Sequence, residues 1–147
     1  MFEKTLIAGW GDMDFNAHMR NTAFLDKSAD MRMMFFAEQG FPMAKFVELR
    51  VGPVVMHDEV DYYREVGLLE PLRATLELAG LADDGSRFTL RNEFFLADGK
   101  RSARVTSTGG WLDLAARRLI AAPADVLAAL RVLTTTPDFR TLESSVK

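Results

Sequence analysis

The sequence predicts an α+β domain in which one long helix is wrapped by a curved antiparallel sheet. Three observations carry that prediction. The hydrophobic period changes from helical to strand-like, and it does so once; the strand-like part falls into four runs with hairpin-length turns between them; and a further strand-like segment precedes the helix. A helix with one apolar stripe and a sheet with one apolar face satisfy each other's burial when the sheet curves around the helix. With 147 residues, 48% of them apolar, and no break in composition, the chain can bury one core. A single domain is expected over residues 1–134, with a loosely ordered tail over 135–147.

Phe2 to Trp10 has strand composition, which Asp14 to Asn16 ends. Thr22 to Gln39 contains neither Gly nor Pro, and Phe24, Leu25, Ser28, Ala29, Phe35 and Phe36 fall on one helical face with Asp26, Lys27, Asp30 and Glu38 opposite. Gly40 stops this helix and Phe41-Pro42 prevents its continuation. Residues 43–51 form a connector with no clear pattern. The first period-two run carries Val54, Met56, Val60 and Tyr62 on one face and ends near Gly67. Leu72, Ala74, Leu76 and Leu78 line the second, and Asp83-Asp84-Gly85-Ser86 is a hairpin turn. Phe88, Leu90, Phe94 and Leu96 line the third, closed by Asp98-Gly99. Ala103, Val105 and Trp111 mark the fourth, where Gly109-Gly110 signals a bulge or a close backbone approach. Pro123 opens a short helix carrying Val126, Leu127, Leu130 and Leu133.

Composition excludes several classes of function. The chain has no cysteine, which removes disulfides, thiolate nucleophiles and Cys-ligated zinc. Its net charge of −3 argues against general affinity for nucleic acid. No apolar run approaches the roughly 20 residues needed to span a bilayer, and the first residues lack the pattern of a secretory leader. A cytoplasmic protein without membrane insertion is expected.

The most informative stretch is Gly11-Asp12-Met13-Asp14-Phe15-Asn16-Ala17-His18-Met19-Arg20-Asn21, at the junction between the first strand and the long helix. Free N–H groups and the positive dipole end of a helix can hold a developing oxyanion while a nearby carboxylate attacks or activates water. Asp12 and Asp14 also suit turns and N-caps, and Asp12 is read as structural. A metal site from Asp12, Asp14 and His18 is a weaker reading, because no cysteine or second nearby histidine completes a ligand set. Two charges break apolar faces: Arg32 on the helix stripe and Asp58 on the first long run. Either is expensive to bury alone, so the two are expected to pair, Arg32 to emerge at a subunit interface, or a bulge to turn Asp58 outward.

The element order, with Trp10-Gly11-Asp12-Met13-Asp14, then Ala17-His18-Met19-Arg20-Asn21, Phe24-Leu25 and Arg32, resembles the hotdog-fold acyl-CoA thioesterases of the 4-hydroxybenzoyl-CoA thioesterase type. Pro53-Val54-Val55 and Val60-Asp61-Tyr62 support the resemblance, which covers roughly residues 3–133. It implies a hotdog fold and hydrolysis of a fatty or aromatic acyl thioester of CoA or an acyl-carrier protein. The second acid of the family's Gly-Asp-x-Asp pattern falls on Asp14, which is thereby expected to act as nucleophile or general base. The family's oxyanion donor, a backbone N–H in the first helical turn, falls in Arg20-Asn21-Thr22, with Asn21 the preferred donor. His18 matches the family's Gly-His-x-Asn-Asn form and is expected to assist, although Ala17 and Arg20 replace the usual Gly and first Asn.

Phe15, Met19, Phe24, Met31 and the Val54 to Tyr63 strand, including Tyr62, are expected to outline the acyl pocket, with Arg20 beside it. The family often holds CoA phosphates from the hairpin that here reads Asp83-Asp84-Gly85-Ser86-Arg87, so Arg87 is the expected contact; Arg64, Arg91, Lys100, Arg101 and Arg117-Arg118 are further cations. A thioester needs only a carboxylate, an oxyanion donor and a dry pocket, so no cofactor or metal is expected. The resemblance also implies a homodimer or homotetramer with sites shared between copies. A hotdog hydratase or dehydratase using His18, and a binding module whose Asp14 merely caps a turn, are the alternatives.

Overall fold

The computed structural model describes residues 1–146. In chain order the elements are β1 (Phe2–Ile7), a single 3-10 turn (Trp10–Asp12), α1 (Asn21–Glu38), α2 (Met43–Leu49), β2 (Val51–Tyr62), β3 (Pro71–Ala82), β4 (Arg87–Phe95), β5 (Arg101–Asp113), β6 (Arg118–Ile120), α3 (Ala124–Leu130) and β7 (Thr135–Leu142). The sheet runs β1-β3-β4-β5-β2, with β6 beside β5 and β7 beside β3. All neighbours are antiparallel except β3 and β7. This is the hotdog arrangement, with α1 against the concave face.

The helix sits where its apolar stripe demands. Ala23, Phe24, Ser28, Met31, Phe35 and Phe36 are buried, while Leu25 and Ala29 are half-buried. Facing them, Phe88, Leu90, Asn92 and Phe94 alternate as the buried positions of β4, with Ala103, Val105, Ser107 and Trp111 buried on β5. Trp111, fully buried, stacks on Phe46 at 5.9 Å and meets Phe36 edge-on. The hairpins form as their turns dictate. Gly85 and Gly99 have φ of +71° and +83°, and Asp84 and Asp98 accept hydrogen bonds from the N–H groups of Ser86 and Lys100.

Four sequence expectations need correction. Residues 43–51 are no mere connector, because α2 occupies Met43–Leu49 and plugs one end of the core with Phe46. The tail expected to be loosely ordered over 135–147 instead contributes β7, whose Thr136 is buried and whose Asp138 makes a two-pronged ion pair with Arg91 at 2.9 and 3.0 Å; its last residue lies outside the described range. The first long strand stops at Tyr62 rather than near Gly67. Its apolar face is also interrupted: Val54 lies opposite Gly110 and Val60 opposite Val105, an odd separation on β5, so the irregularity between Val55 and His57 puts them on opposite faces.

No helix among the described residues is long and apolar enough to cross a membrane. Strand β2 ends the sheet path, and its outer edge has no partner strand among the described residues.

Candidate active site

The strand-to-helix junction is built from the Asp12 carboxylate outward. Asp12 accepts hydrogen bonds from the Gly9 N–H at 2.8 Å and the Lys27 ammonium at 2.9 Å, pinning the loop to the second turn of α1. Burial pushes this carboxyl up, but the Lys27 hydrogen bond, the Gly9 N–H and the nearby positive charges outweigh it and hold Asp12 below the usual carboxylate range. Asp12 is thus turned away from the cleft that holds Asp14 and His18, so the three side chains considered for a metal do not converge.

Asp14 folds the next turn around itself. Its Oδ1 accepts from the Asn16 N–H at 2.7 Å and, more weakly, from the His18 N–H at 3.4 Å, while its backbone N–H donates to the His18 carbonyl at 2.8 Å. Phe15 is thrown to the tip of this turn and is fully exposed, so it lines no pocket within one copy of the chain. Ala17 completes the turn at φ +65°, the left-handed region that explains the usual Gly at this position. Ala17→Val is therefore expected to lower the unfolding free energy by about 1 kcal/mol, whereas Ala17→Gly leaves it unchanged or raises it. Urea denaturation of both variants measures this.

His18 stands between two carboxylates. Its Nδ1 is 3.3 Å from the Met19 carbonyl and 3.4 Å from Asp14 Oδ2, and its Nε2 is 3.8 Å from Glu65. Two acceptors on Nδ1 select the tautomer that carries its proton there. Met19 donates its N–H to the Val66 carbonyl at 2.7 Å, which draws the segment after β2 against the loop.

Helix α1 opens at Asn21. Arg20 is its N-cap in extended conformation, without a side-chain cap, and the N–H groups of Asn21 and Thr22 have no partner among the described residues. The Tyr62 hydroxyl donates to the Asn21 carbonyl at 2.9 Å, and its ring packs edge-on against Phe24 at 5.5 Å. Burial raises the Tyr62 phenol, which keeps this donor protonated. Together these elements enclose a cleft of about 480 Å³ lined by Asp14, His18, Asn21, Phe24, Tyr62 and Arg64, among others.

Six of the nine expected site residues therefore converge: Asp14, His18, Met19, Asn21, Phe24 and Tyr62. Phe15 does not, as above. Arg20 points elsewhere, donating to the Gly11 carbonyl, to Thr22 at 3.0 Å and toward Asp26 at 3.4 Å. Arg87 is remote: it faces Gly110 on β5, whereas Tyr62 faces Ala103, a separation of about 23 Å along the sheet. Asn16 and Glu65 join the lining without having been anticipated, and Tyr63, at the end of the stretch expected to outline the pocket, lines it too. Glu65 left little signal, since the contacts that bring the segment after β2 to the loop, the Met19 to Val66 hydrogen bond and the approach of Glu65 to His18, join residues far apart in sequence.

The family model of the thioesterase-like superfamily matches residues 8–130. The chain belongs to the thioesterase-like superfamily. Among solved structures, this superfamily member superposes with a TM-score of 0.79 on a 1,4-dihydroxy-2-naphthoyl-CoA thioesterase from Synechocystis, at 14% identity over 88% of this chain and 95% of that one. A Staphylococcus aureus protein solved in complex with CoA gives 0.81 at 18% identity, over 95% and 89% of the two chains. A probable thioesterase from Escherichia coli gives 0.75 at 18% identity, over 91% and 99%. At these identities the likeness is one of fold. No curated protein matches the sequence.

Proposed function

We propose that this thioesterase-like protein hydrolyses acyl thioesters of CoA or of an acyl-carrier protein, with Asp14 as nucleophile or general base. The observation that carries the reading is the convergence, on one cleft, of the Asp14 carboxylate and the opening turn of α1, whose Asn21 N–H is unpartnered among the described residues. A thioester carbonyl placed there meets a donor for its developing oxyanion and an anion for the attack. As nucleophile, Asp14 forms a mixed anhydride as the thiolate leaves, and water then cleaves it; as base, it takes the proton of the attacking water. His18, held beside Asp14, orients that carboxylate. Phe24, Met19 and Tyr62 give the carbonyl an apolar surround.

The unpaired edge of β2 and the exposed Phe15, Tyr62 and Tyr63 support assembly into at least a homodimer, with the partner covering the cleft. Within one copy, Arg64 is the cation beside the cleft and is the proposed contact for CoA phosphates. Arg87 could reach a cleft only on another copy.

The test is release of free thiol from short, long and aromatic acyl-CoA esters. We expect turnover of at least one ester with kcat/KM of about 10⁴ M⁻¹s⁻¹ or more. Absence of thiol release from every CoA and carrier-protein ester would sink the proposal, and hydration without thiol release would replace it with hydratase chemistry.

A further inference from the structure

Glu65 is the acidic side chain of the cleft that the chemistry above leaves without a task. The chain is held on both sides of it. The Arg64 N–H donates to the Ser102 carbonyl at 3.1 Å and the Arg64 carbonyl accepts from Ser102 Oγ at 2.8 Å, while the Val66 carbonyl accepts the Met19 N–H at 2.7 Å. Val66 itself is fully buried. Glu65 is thus set at the mouth of the cleft with its side chain 78% exposed, and its one ionic partner among the described residues is His18.

The two ring nitrogens of His18 have different surroundings. Nδ1 faces the Met19 carbonyl at 3.3 Å and Asp14 Oδ2 at 3.4 Å, so its proton is held between two acceptors. Nε2 lies 3.8 Å from Glu65 Oε2, beyond hydrogen-bond reach, and makes no hydrogen bond among the described residues. It is therefore the nitrogen free to exchange a proton with a bound molecule. A ring protonated at both nitrogens has a carboxylate facing each of them, Asp14 on one side and Glu65 on the other.

The inference rests on the thioester reading of the cleft, which places the three groups around the carbonyl carbon. The oxygen takes the Asn21 N–H, and the acyl group takes the apolar surface of Phe24, Met19 and Tyr62. The sulfur is left on the side of the exposed mouth, where Arg64 and Glu65 stand, and His18 lies between Asp14 and that mouth. An expelled thiolate is a nucleophile that can return to the acyl carbon, whereas a thiol is not. A proton delivered to sulfur therefore carries the cleavage forward.

We propose that His18 Nε2 protonates the departing sulfur, with Glu65 as the positioning residue that faces the charged ring. With Asp14 as nucleophile, a carboxylate oxygen bonds to the carbonyl carbon, the C–S bond breaks and the Nε2 proton passes to sulfur, giving a mixed anhydride, a thiol and a neutral imidazole. Water then attacks the anhydride while Nε2 takes its proton, which restores the Asp14 carboxylate and the doubly protonated ring and releases the acid. With Asp14 as base, the water proton goes to Asp14 and sulfur still takes the Nε2 proton; Asp14 then loses its proton and His18 regains one through solvent.

The test presents one acyl group as its CoA thioester and as its thiophenol ester, whose aryl thiolate leaves without needing a proton. In His18→Gln, kcat/KM is expected to fall at least about tenfold further on the CoA ester than on the thiophenol ester. Lost orientation of Asp14 lowers both esters alike, so the difference between them reads proton transfer to sulfur alone. Glu65→Gln, at an exposed position, is expected to lower kcat on the CoA ester about tenfold with KM little changed, to leave the thiophenol ester within about threefold, and to be rescued by Glu65→Asp. It also keeps the test decisive if His18→Gln does not fold. Equal losses on the two esters in either variant, or a Glu65→Gln variant that matches wild type on the CoA ester, would overturn the proposal and leave the thioesterase reading standing. If wild type cleaves neither ester, nor any other acyl thioester, the thioesterase reading fails and the transfer to sulfur falls with it.

Discussion

Asp14→Asn is expected to lower thioester turnover at least about a hundredfold while leaving the fold in place. The two effects separate because the carboxylate has separable tasks. Its structural task is to accept the N–H of Asn16 at 2.7 Å and, weakly, that of His18, and an asparagine oxygen keeps that acceptor. The amide nitrogen then replaces Oδ2, which lies 3.4 Å from His18 Nδ1, and a change of imidazole tautomer accommodates it at the cost of the contact with the Met19 carbonyl. Stability should therefore change by no more than about 1 kcal/mol. The chemical task needs a negative charge, which asparagine lacks whether the step is attack on the carbonyl or proton removal from water. The expected pattern is a fall in kcat with little change in KM, since Phe24, Tyr62 and the α1 terminus still receive the substrate. A variant that retains activity within about tenfold of wild type would remove Asp14 from the chemistry, whereas tight thioester binding without turnover, unchanged by the substitution, would favour the binding-module alternative.

What was legible in the sequence follows from which interactions are local. The β3–β4 and β4–β5 hairpins announce themselves because Asp84-Gly85 and Asp98-Gly99 carry both the left-handed glycine and the aspartate that satisfies the turn. Helix α1 is legible because eighteen residues repeat one stripe, and the Asp14 loop because its turn chemistry is written within five residues. Helix α2 is not, since it has seven residues, no capping side chain and Arg50 rather than Gly at its left-handed C-cap. Strand β7 depends on distant partners, pairing with β3 and tying Asp138 to Arg91, while its own sequence, with Pro137 and only Phe139 and Leu142 as large apolar residues, shows no period-two alternation. The misplacement of Phe15 and Arg20 has the same origin. Residues adjacent in sequence to Asp14 and Asn21 were expected in the cleft, but the tight turn at Ala17 and the pull of the Gly11 carbonyl on Arg20 send those two side chains outward.

Gly109 presents the opposite case, in which a sequence signal points to a constraint that the structure makes specific. Of the two readings of Gly109-Gly110, close approach applies to β5 itself, and the irregularity falls on the facing strand between Val55 and His57. A Cβ at Gly109 would overlap the Val54 carbonyl oxygen and meet the Phe88 ring at 3.0 Å. The first obstacle is backbone and cannot rotate away, so relief requires β2 to move off β5. That movement would disturb the pairing that sets Asp58 opposite Ser107 and Tyr62 opposite Ala103, and with it the wall of the cleft. Gly109→Ala is accordingly expected to destabilise the protein by about 3 kcal/mol, seen as a lower urea midpoint. Turnover should fall as well, although the substitution lies about 20 Å along β5 from the residue facing Tyr62. Gly11→Ala, where an added Cβ meets nothing within 4 Å, should stay within about 0.5 kcal/mol of wild type and shows what a harmless methyl does. If Gly109→Ala unfolds at the wild-type midpoint, β2 is held to β5 more loosely than this close approach requires, and the placement of Tyr62 in the cleft wall does not depend on it.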